Sequence, residues 1–173
     1  REGLAVMNGT SAMTGIALVN IINAKKLLNW CISASSIINE LVESYDDHYS
    51  HELNIVKHHK GQNEIAEALR NLTSDSKLTR KRAEHLYDKE VTENVISEKV
   101  QEYYSIRCVP QILGPIADTI TYAENVIVNE LNSVNDNPIV DRQNNNVYHG
   151  GNFHGDYISL EMDKVKVAVT KLS

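Results

Sequence analysis

At 173 residues the chain is of single-domain size and long enough to bury a core. Its composition, 42% hydrophobic and 23% charged with a formal net charge of −6, is that of an ordinary soluble globular protein and argues against a disordered chain or a basic nucleic-acid-binding face. Cys31 and Cys108 are the two cysteines; far apart and without partners at zinc-ligand spacing, they suggest neither a disulfide framework nor a metal site and fit a reducing, cytoplasmic setting.

The first apolar stretch, "AMTGIALVNII", is short, broken by Asn20 and not preceded by a charged leader, so neither secretion nor a membrane span is expected. From Thr14 to Val42 apolar residues fall on more than one face, among them Leu18, Ile22, Leu28, Ile32, Ile38 and Leu41. This predicts a long, largely buried helix. Asn8, Gly9 and Thr10 stand before it with permissive backbone and capping oxygens, which makes the helix start a local positive pole. Residues 45–60 turn polar and His-rich, and "GQNEIAEALRNL" then restores helical spacing through Ile65, Leu69 and Leu72. The charged residues 73–100 read as a solvated excursion or a surface helix pair.

After Pro115 the most regular amphipathic run follows, with Ile116, Ile120, Ala123, Ile127 and Leu131 at intervals of three and four. An Asn- and Gly-rich stretch over 132–156 interrupts, with a short strand pair expected around "PIVD" and "NVYH", before helix resumes near Ser159. The chain opens at Arg1 without Met and closes with Met162, Val165, Val169 and Leu172 still in helical register. We therefore expect residues 1–173 to be one internal piece of a longer polypeptide. The fold class implied is all-α, a bundle of long helices interrupted by amide-rich loops.

Three groups could carry chemistry. His48, His51, His58 and His59 cluster beside Asp46 and Asp47, but no zinc spacing emerges, and a polar loop with solvent-exposed or hydrogen-bonded imidazoles is the expectation; no metal is assigned. In "VQEYYSIRCVPQ", Gln101, Tyr104 and Arg107 recur every three residues and would bring an amide, a phenol and a guanidinium together on one helical turn. Arg suits a two-point grip on a carboxylate, and a Tyr beside it suits proton transfer. By spacing alone, a surface Arg and a half-buried Tyr satisfy the same pattern. Residues 135–154 offer Asn135, Asp136 and Asn137 before Pro138, then Gly150, Gly151, Asn152 and Phe153; glycines permit positive φ or close backbone approach, and Asn and Asp bond their own backbone in turns. A hairpin and a binding wall remain equal readings of it.

Three separated strings, "REGLAVMNGTSAMTG", "YYSIRCVPQILG" and "NSVNDNPIVD…VYHGGNFHGD", together resemble the aromatic amino acid ammonia-lyases and their related aminomutases, over essentially the whole chain and in order. That resemblance implies a helical enzyme, usually a homotetramer, whose sites are shared between chains. It acts on an aromatic L-amino acid through 4-methylideneimidazole-5-one, an electrophile made from an Ala-Ser-Gly triplet. The reaction eliminates ammonia to leave a trans-α,β-unsaturated acid. No such triplet occurs in this sequence, and the family places both it and the main tyrosine base upstream of Arg1. Carried across residue by residue, the resemblance makes Asn8 and Tyr104 catalytic-site residues beside the electrophile and Arg107 the ligand of the substrate carboxylate. Gln101 becomes a pocket amide, and Asn137 and Phe153 become neighbours of substrate and electrophile. Histidine and tyrosine are the leading substrates, with phenylalanine and aminomutase chemistry behind them. For the isolated chain the competing expectation is a catalytically inactive helical assembly module, without nucleic-acid or membrane partners.

Overall fold

The computed structural model describes residues 2–87 and 99–173. Its helices are α1 (Glu2–Asn8), α2 (Ser11–Leu41), α3 (His51–Ile55), α4 (Lys60–Leu72), α5 (Tyr104–Arg107), α6 (Val109–Leu131) and α7 (Asp156–Thr170). One antiparallel hairpin, β1 (Ile139–Asp141) with β2 (Asn146–Tyr148), pairs Ile139 with Tyr148 and Asp141 with Asn146. The all-α expectation holds, as does the short strand pair. Among the described residues no single helix is long and apolar enough to cross a membrane. The chain divides into two compact units, one of residues 1–26, 119–171 and 173, the other of residues 27–118 and 172.

In the first unit, Thr14, Ala17, Ile21 and Ala24 of α2 are buried along one stripe, as are Ile120, Ala123 and Ile127 of α6 and Ile158, Val165 and Ala168 of α7. The steps of three, four and seven residues put each set on one face of its helix. Lys25 pairs with Glu124 between α2 and α6, and the Lys164 ammonium lies 5.3 Å from the centre of the Tyr122 ring between α7 and α6. Thr10 ends the loop before α2 and donates its hydroxyl to Glu130 at 2.6 Å. The positive pole expected at the start of α2 is thus met in part by a carboxylate of the chain's own.

In the second unit, Leu28 and Ile32 of α2, Ile65, Ala66 and Leu69 of α4, and Val109, Leu113 and Ile116 of α6 are buried. α4 has no side-chain cap from its own N-cap residue, His59. Asp118 of α6 replaces it, accepting the Gly61 N–H at 2.8 Å and satisfying one of the four orphan donors of the first turn. That bond requires close backbone approach: a Cβ on Gly114 would stand 2.6 Å from the Gln62 nitrogen, and one on Gly61 would stand 2.8 Å from Asp118 Oδ1. Side chains are excluded at both positions.

Three expectations change. α2 is buried on one stripe only: Leu28 and Ile32 are inside, whereas Ile22, Ile38 and Leu41 are exposed, and the exposed face carries Ile16, Val19, Trp30 and Ile37 as well. Apolar residues all round a helix imply burial all round, and this chain supplies cover for one side only. The amphipathic helix begins at Val109 rather than after Pro115; Pro115 lies inside α6, and burial of Val109, Leu113 and Ile116 outweighs its missing N–H. Among the described residues no glycine adopts positive φ; those that do are Glu43, two residues past the end of α2, and Asn145, in the hairpin turn. Of the two readings of the imidazoles, His48 takes the hydrogen-bonded one: it is 7% exposed and meets Asn39 inside. Of the charged segment 73–100, residues 88–98 lie outside the described residues. Its earlier part is tied down: Arg80 bridges to Tyr45, and the Arg82 guanidinium lies 4.2 Å from the centre of the buried Tyr45 ring.

Candidate active site

Tyr104 and Arg107 stand on the single turn of α5, with the guanidinium carbon 4.8 Å from the centre of the phenol ring. Tyr104 is 72% exposed, while the Arg107 Nε is buried and has no hydrogen-bond partner among the described residues. A cation is thus held against an open phenol, with donors still to place. Gln101 does not share this turn. α5 starts only at Tyr104, and Gln101 lies exposed in the bend before it, so the expected three-residue convergence is reduced to a pair. The intervening Glu102 is buried and paired with Lys99.

An amide network joins α3, α4 and α6. The Asn54 Nδ2 donates to the carbonyls of Ser50 (2.9 Å) and His48 (3.3 Å), while Asn54 Oδ1 accepts from Gln62 Nε2 (3.0 Å) and Gln111 Nε2 (3.5 Å). His48 Nε2 meets Asn39 Oδ1 at 2.8 Å, and Ser44 donates to the same oxygen at 2.8 Å. An amide oxygen only accepts, so His48 carries its proton on Nε2. Burial is the main cause that takes this imidazole down to about 4; Arg82 and Arg107 push the same way, and Asp47 and Glu102 oppose them. The histidine is neutral and structural. Among the described residues no group of His, Cys, Asp and Glu could hold a metal ion.

Asn8, Asn137 and Phe153 belong to the other unit. Asn8 closes α1 and is exposed, two residues before the Thr10 that precedes α2. Asn137 precedes a cis peptide bond to Pro138 and accepts the Gly150 N–H on its Oδ1 at 2.8 Å, and its Nδ2 has no partner among the described residues. Asn152 Nδ2 donates to the Val134 carbonyl at 3.3 Å. These two amides tie the base of the hairpin, and Phe153 stands 47% exposed just beyond. The hairpin turn absorbs other members of the Asn-rich stretch: Asp141 accepts from the backbone of Gln143 and Asn144 and from the Asn144 side chain, which lowers its pKa. Positions where a Cβ would stand on Gly150 and Gly151 have no heavy atom within 4 Å, so the chain's own packing does not demand glycine there. A cleft of about 480 Å³ beside Tyr49, Arg70 and Lys81 is lined by none of the expected site residues.

Sequence reasoning did not single out Asn54, Gln62 and Gln111. Polar residues at helical spacing look alike on a buried and a solvated face, and only the fold brings these three together.

These features define a helical protein with an arginine–tyrosine pair on one short helix and an amide-tied hairpin ahead of α7. A family model described as aromatic amino acid lyase matches residues 1–173, and the chain belongs to that family. It is 38% identical over 182 residues to tyrosine 2,3-aminomutase of Myxococcus sp. (strain Mx-B0), covering 99% of this chain and 34% of that protein. Histidine ammonia-lyase of Caldanaerobacter subterraneus subsp. tengcongensis is 32% identical over 173 residues, covering 100% of this chain and 32% of that one. The structure of Pantoea agglomerans phenylalanine aminomutase superposes with a TM-score of 0.89 at 34% identity, over 98% of this chain and 34% of its own. The chain thus spans about a third of the length of the relatives it matches.

Proposed function

We propose that the chain is part of an enzyme that eliminates ammonia from an aromatic L-amino acid, L-histidine or L-tyrosine first, to give urocanate or coumarate. The observation that carries this reading is the Arg107–Tyr104 pair, a guanidinium held 4.8 Å over an exposed phenol on one helical turn. Arg107 takes the substrate carboxylate through two parallel N–H bonds. Tyr104 lies beside the bound amino acid and serves proton transfer. Asn8 and the unengaged Asn137 Nδ2 offer polar contacts to substrate or prosthetic group, Phe153 offers an aromatic wall, and Gln101 an exposed amide ahead of α5.

The prosthetic group implied by the family is 4-methylideneimidazole-5-one. The Ala-Ser-Gly triplet that forms it is not in this sequence, so another stretch of polypeptide must supply it. The residues that are present suit such a neighbour: a spare amide donor on Asn137, an exposed phenyl, and open space at Gly150 and Gly151. When bound, the group supplies an electrophilic carbon that turns the substrate's amino group into a leaving group.

A homotetramer in the cytoplasm completes the reading. The exposed apolar face of α2 supports assembly, and the free Cys31 and Cys108 support a reducing setting. Aminomutase chemistry on tyrosine is the second reading, favoured by the 38% identity to a tyrosine 2,3-aminomutase. Phenylalanine stands behind both substrates, and an inactive assembly role applies to the isolated chain. The test is to incubate the whole enzyme separately with L-histidine, L-tyrosine and L-phenylalanine. Ultraviolet absorbance reads the trans acid and chromatography reads any β-amino acid. Formation of neither from any of the three would end the proposal.

A further inference from the structure

Three connections of the first unit carry proposed site residues: that between α1 and α2, entered at Asn8, that before β1, with Asn137, and that before α7, with Phe153. They are tied to one another by residues to which no chemistry has been assigned. Thr10, 2% exposed, donates its hydroxyl to Glu130 Oε1 at 2.6 Å. Asn135 Nδ2 reaches the same carboxylate oxygen and the Glu130 backbone carbonyl, each at 3.4 Å. A backbone carbonyl only accepts, so the Asn135 amide must turn its nitrogen to that side, and its donation to the carboxylate follows. One oxygen thus receives two donors, one placed two residues after Asn8 and the other two residues before Asn137.

Further contacts bring in the third connection. Asn152 Nδ2 donates to the carbonyl of Val134, the neighbour of Asn135. Three residues past Asn152, a Cβ on Gly155 would overlap the Met13 methyl group and stand 3.9 Å from Thr10 Cγ2. The contacts therefore run from Thr10 through Glu130, Asn135 and Asn152 to Gly155 and return to Thr10. Of these, Glu130 is the member with a long helix behind it: it is the penultimate residue of α6, where Ile120, Ala123 and Ile127 are buried. Thr10, Asn135 and Asn152 lie in loops and take their place from it.

We propose that Glu130 is a positioning residue for the elimination reaction, its carboxylate holding the Asn8 and Asn137 connections in a fixed relation. This role rests on the proposed placing of Asn8 and Asn137 beside substrate and prosthetic group. Arg107, which takes the substrate carboxylate in that reading, belongs to the other unit. Loss of the tie should therefore spare binding and act on turnover.

Three variants of the whole enzyme test it. Glu130→Met keeps the bulk and removes the acceptors; Glu130→Gln keeps an accepting oxygen. Glu130→Met should lower kcat by about tenfold or more with KM within about threefold of the parent, and Glu130→Gln should restore most of the kcat. Thr10→Val deletes only the donor and should lower kcat by about fivefold, which keeps the kinetic test open if Glu130→Met does not fold. The Thr10→Val, Glu130→Met double variant should be no slower than Glu130→Met, because both act through one bond. Variants that lose melting temperature but keep the parent's kcat, or losses that multiply in the double variant, would overturn the proposal. Hydrogen exchange provides an arm independent of turnover. In Thr10→Val, exchange over residues 132–137 should rise by about threefold or more while α4, in the other unit, keeps the parent rate. Parent rates over 132–137 would show that Glu130 does not couple the two connections. Absence of turnover on every aromatic amino acid would remove the lyase reading itself, and the exchange result then decides the coupling separately.

Discussion

The Asn137 side-chain oxygen accepts the backbone N–H of Gly150 at 2.8 Å, joining the residue two before β1 to the residue two beyond β2. The two ends of this carboxamide can therefore be tested apart. Asn137→Asp keeps the acceptor for Gly150 and deletes the Nδ2 donors; Asn137→Ala deletes both. We predict that Asn137→Asp keeps the parent's melting temperature within a few degrees yet loses at least about tenfold in kcat, whereas Asn137→Ala also loses about 1 kcal/mol of stability. Thermal melts and turnover on the same samples check this. An Asp variant as active as the parent would reduce Asn137 to a hairpin tie.

For Arg107 the expected effect follows from geometry rather than charge. Arg107→Lys preserves the cation but loses the planar fork and its stacking on Tyr104. In the whole enzyme kcat/KM should fall by about a hundredfold or more, corresponding to about 3 kcal/mol. Steady-state kinetics on the preferred amino acid measure it, and parent-like values would take Arg107 out of the site.

The close approach of α4 and α6 predicts a purely structural loss. Gly61→Ala would press a methyl group on the Gly114 carbonyl and the Asp118 carboxylate, and neither backbone nor capping group can yield without parting the helices. About 1 to 3 kcal/mol should be lost from overpacking, with up to about 1 kcal/mol more where the Asp118 cap breaks. Asp118→Asn, which retains an acceptor, should cost less than Gly61→Ala. Denaturant unfolding of both variants orders them.

Much of this fold was legible because long helices announce themselves by period. Ile116, Ile120, Ala123 and Ile127 were read from spacing and are buried at 0–1% exposure, whereas Leu131, read in the same series, is 47% exposed at the end of α6. The hairpin was legible from its turn residues. What periodicity does not carry is the number of faces a helix buries within its own chain. Ile22 and Ile38 are as apolar as Leu28 and Ile32, and only the count of neighbouring elements separates exposed from buried. Site residues divide in the same way. Arg107 and Tyr104 were paired by spacing, but Gln101 was lost from the turn because α5 is one turn long and starts after it. The Asn54–Gln62–Gln111 contacts join three elements and leave no mark on local sequence.

The uncovered side of α2 leads to a prediction about assembly. Ile16, Val19, Trp30, Ile37 and Leu41 are all more than half exposed, with Trp30 at 77%. Apolar faces of this length are characteristic of interfaces. The whole enzyme should sediment as a tetramer, and a Trp30→Glu, Ile37→Glu double variant should shift it toward smaller species at equal concentration. A monomeric parent with full activity at assay concentration would defeat the shared-site arrangement.

The buried His48 sets an acid limit on stability whose sign can be worked out. In the unfolded chain this imidazole titrates near 6.5, and in the fold burial brings it to about 4. Between those values the unfolded chain holds a proton that the folded chain does not. Stability therefore rises with pH across this window: it is fully present above about 6.5, declines as pH falls toward 4, and levels below 4, where both states are protonated. The mechanism is local, since protonation would place a second N–H and a charge among buried groups that include Tyr49, with ring centres 4.7 Å apart, and within reach of Arg82 and Arg107. His48→Gln can keep a donor toward Asn39 Oδ1 and has no titrating group. It should be somewhat less stable than the parent at pH 7.5 but should lose less stability between pH 6.5 and 4.5. Urea unfolding followed by circular dichroism across that range measures both slopes. Equal slopes for parent and variant would show that His48 is not the group that sets the limit.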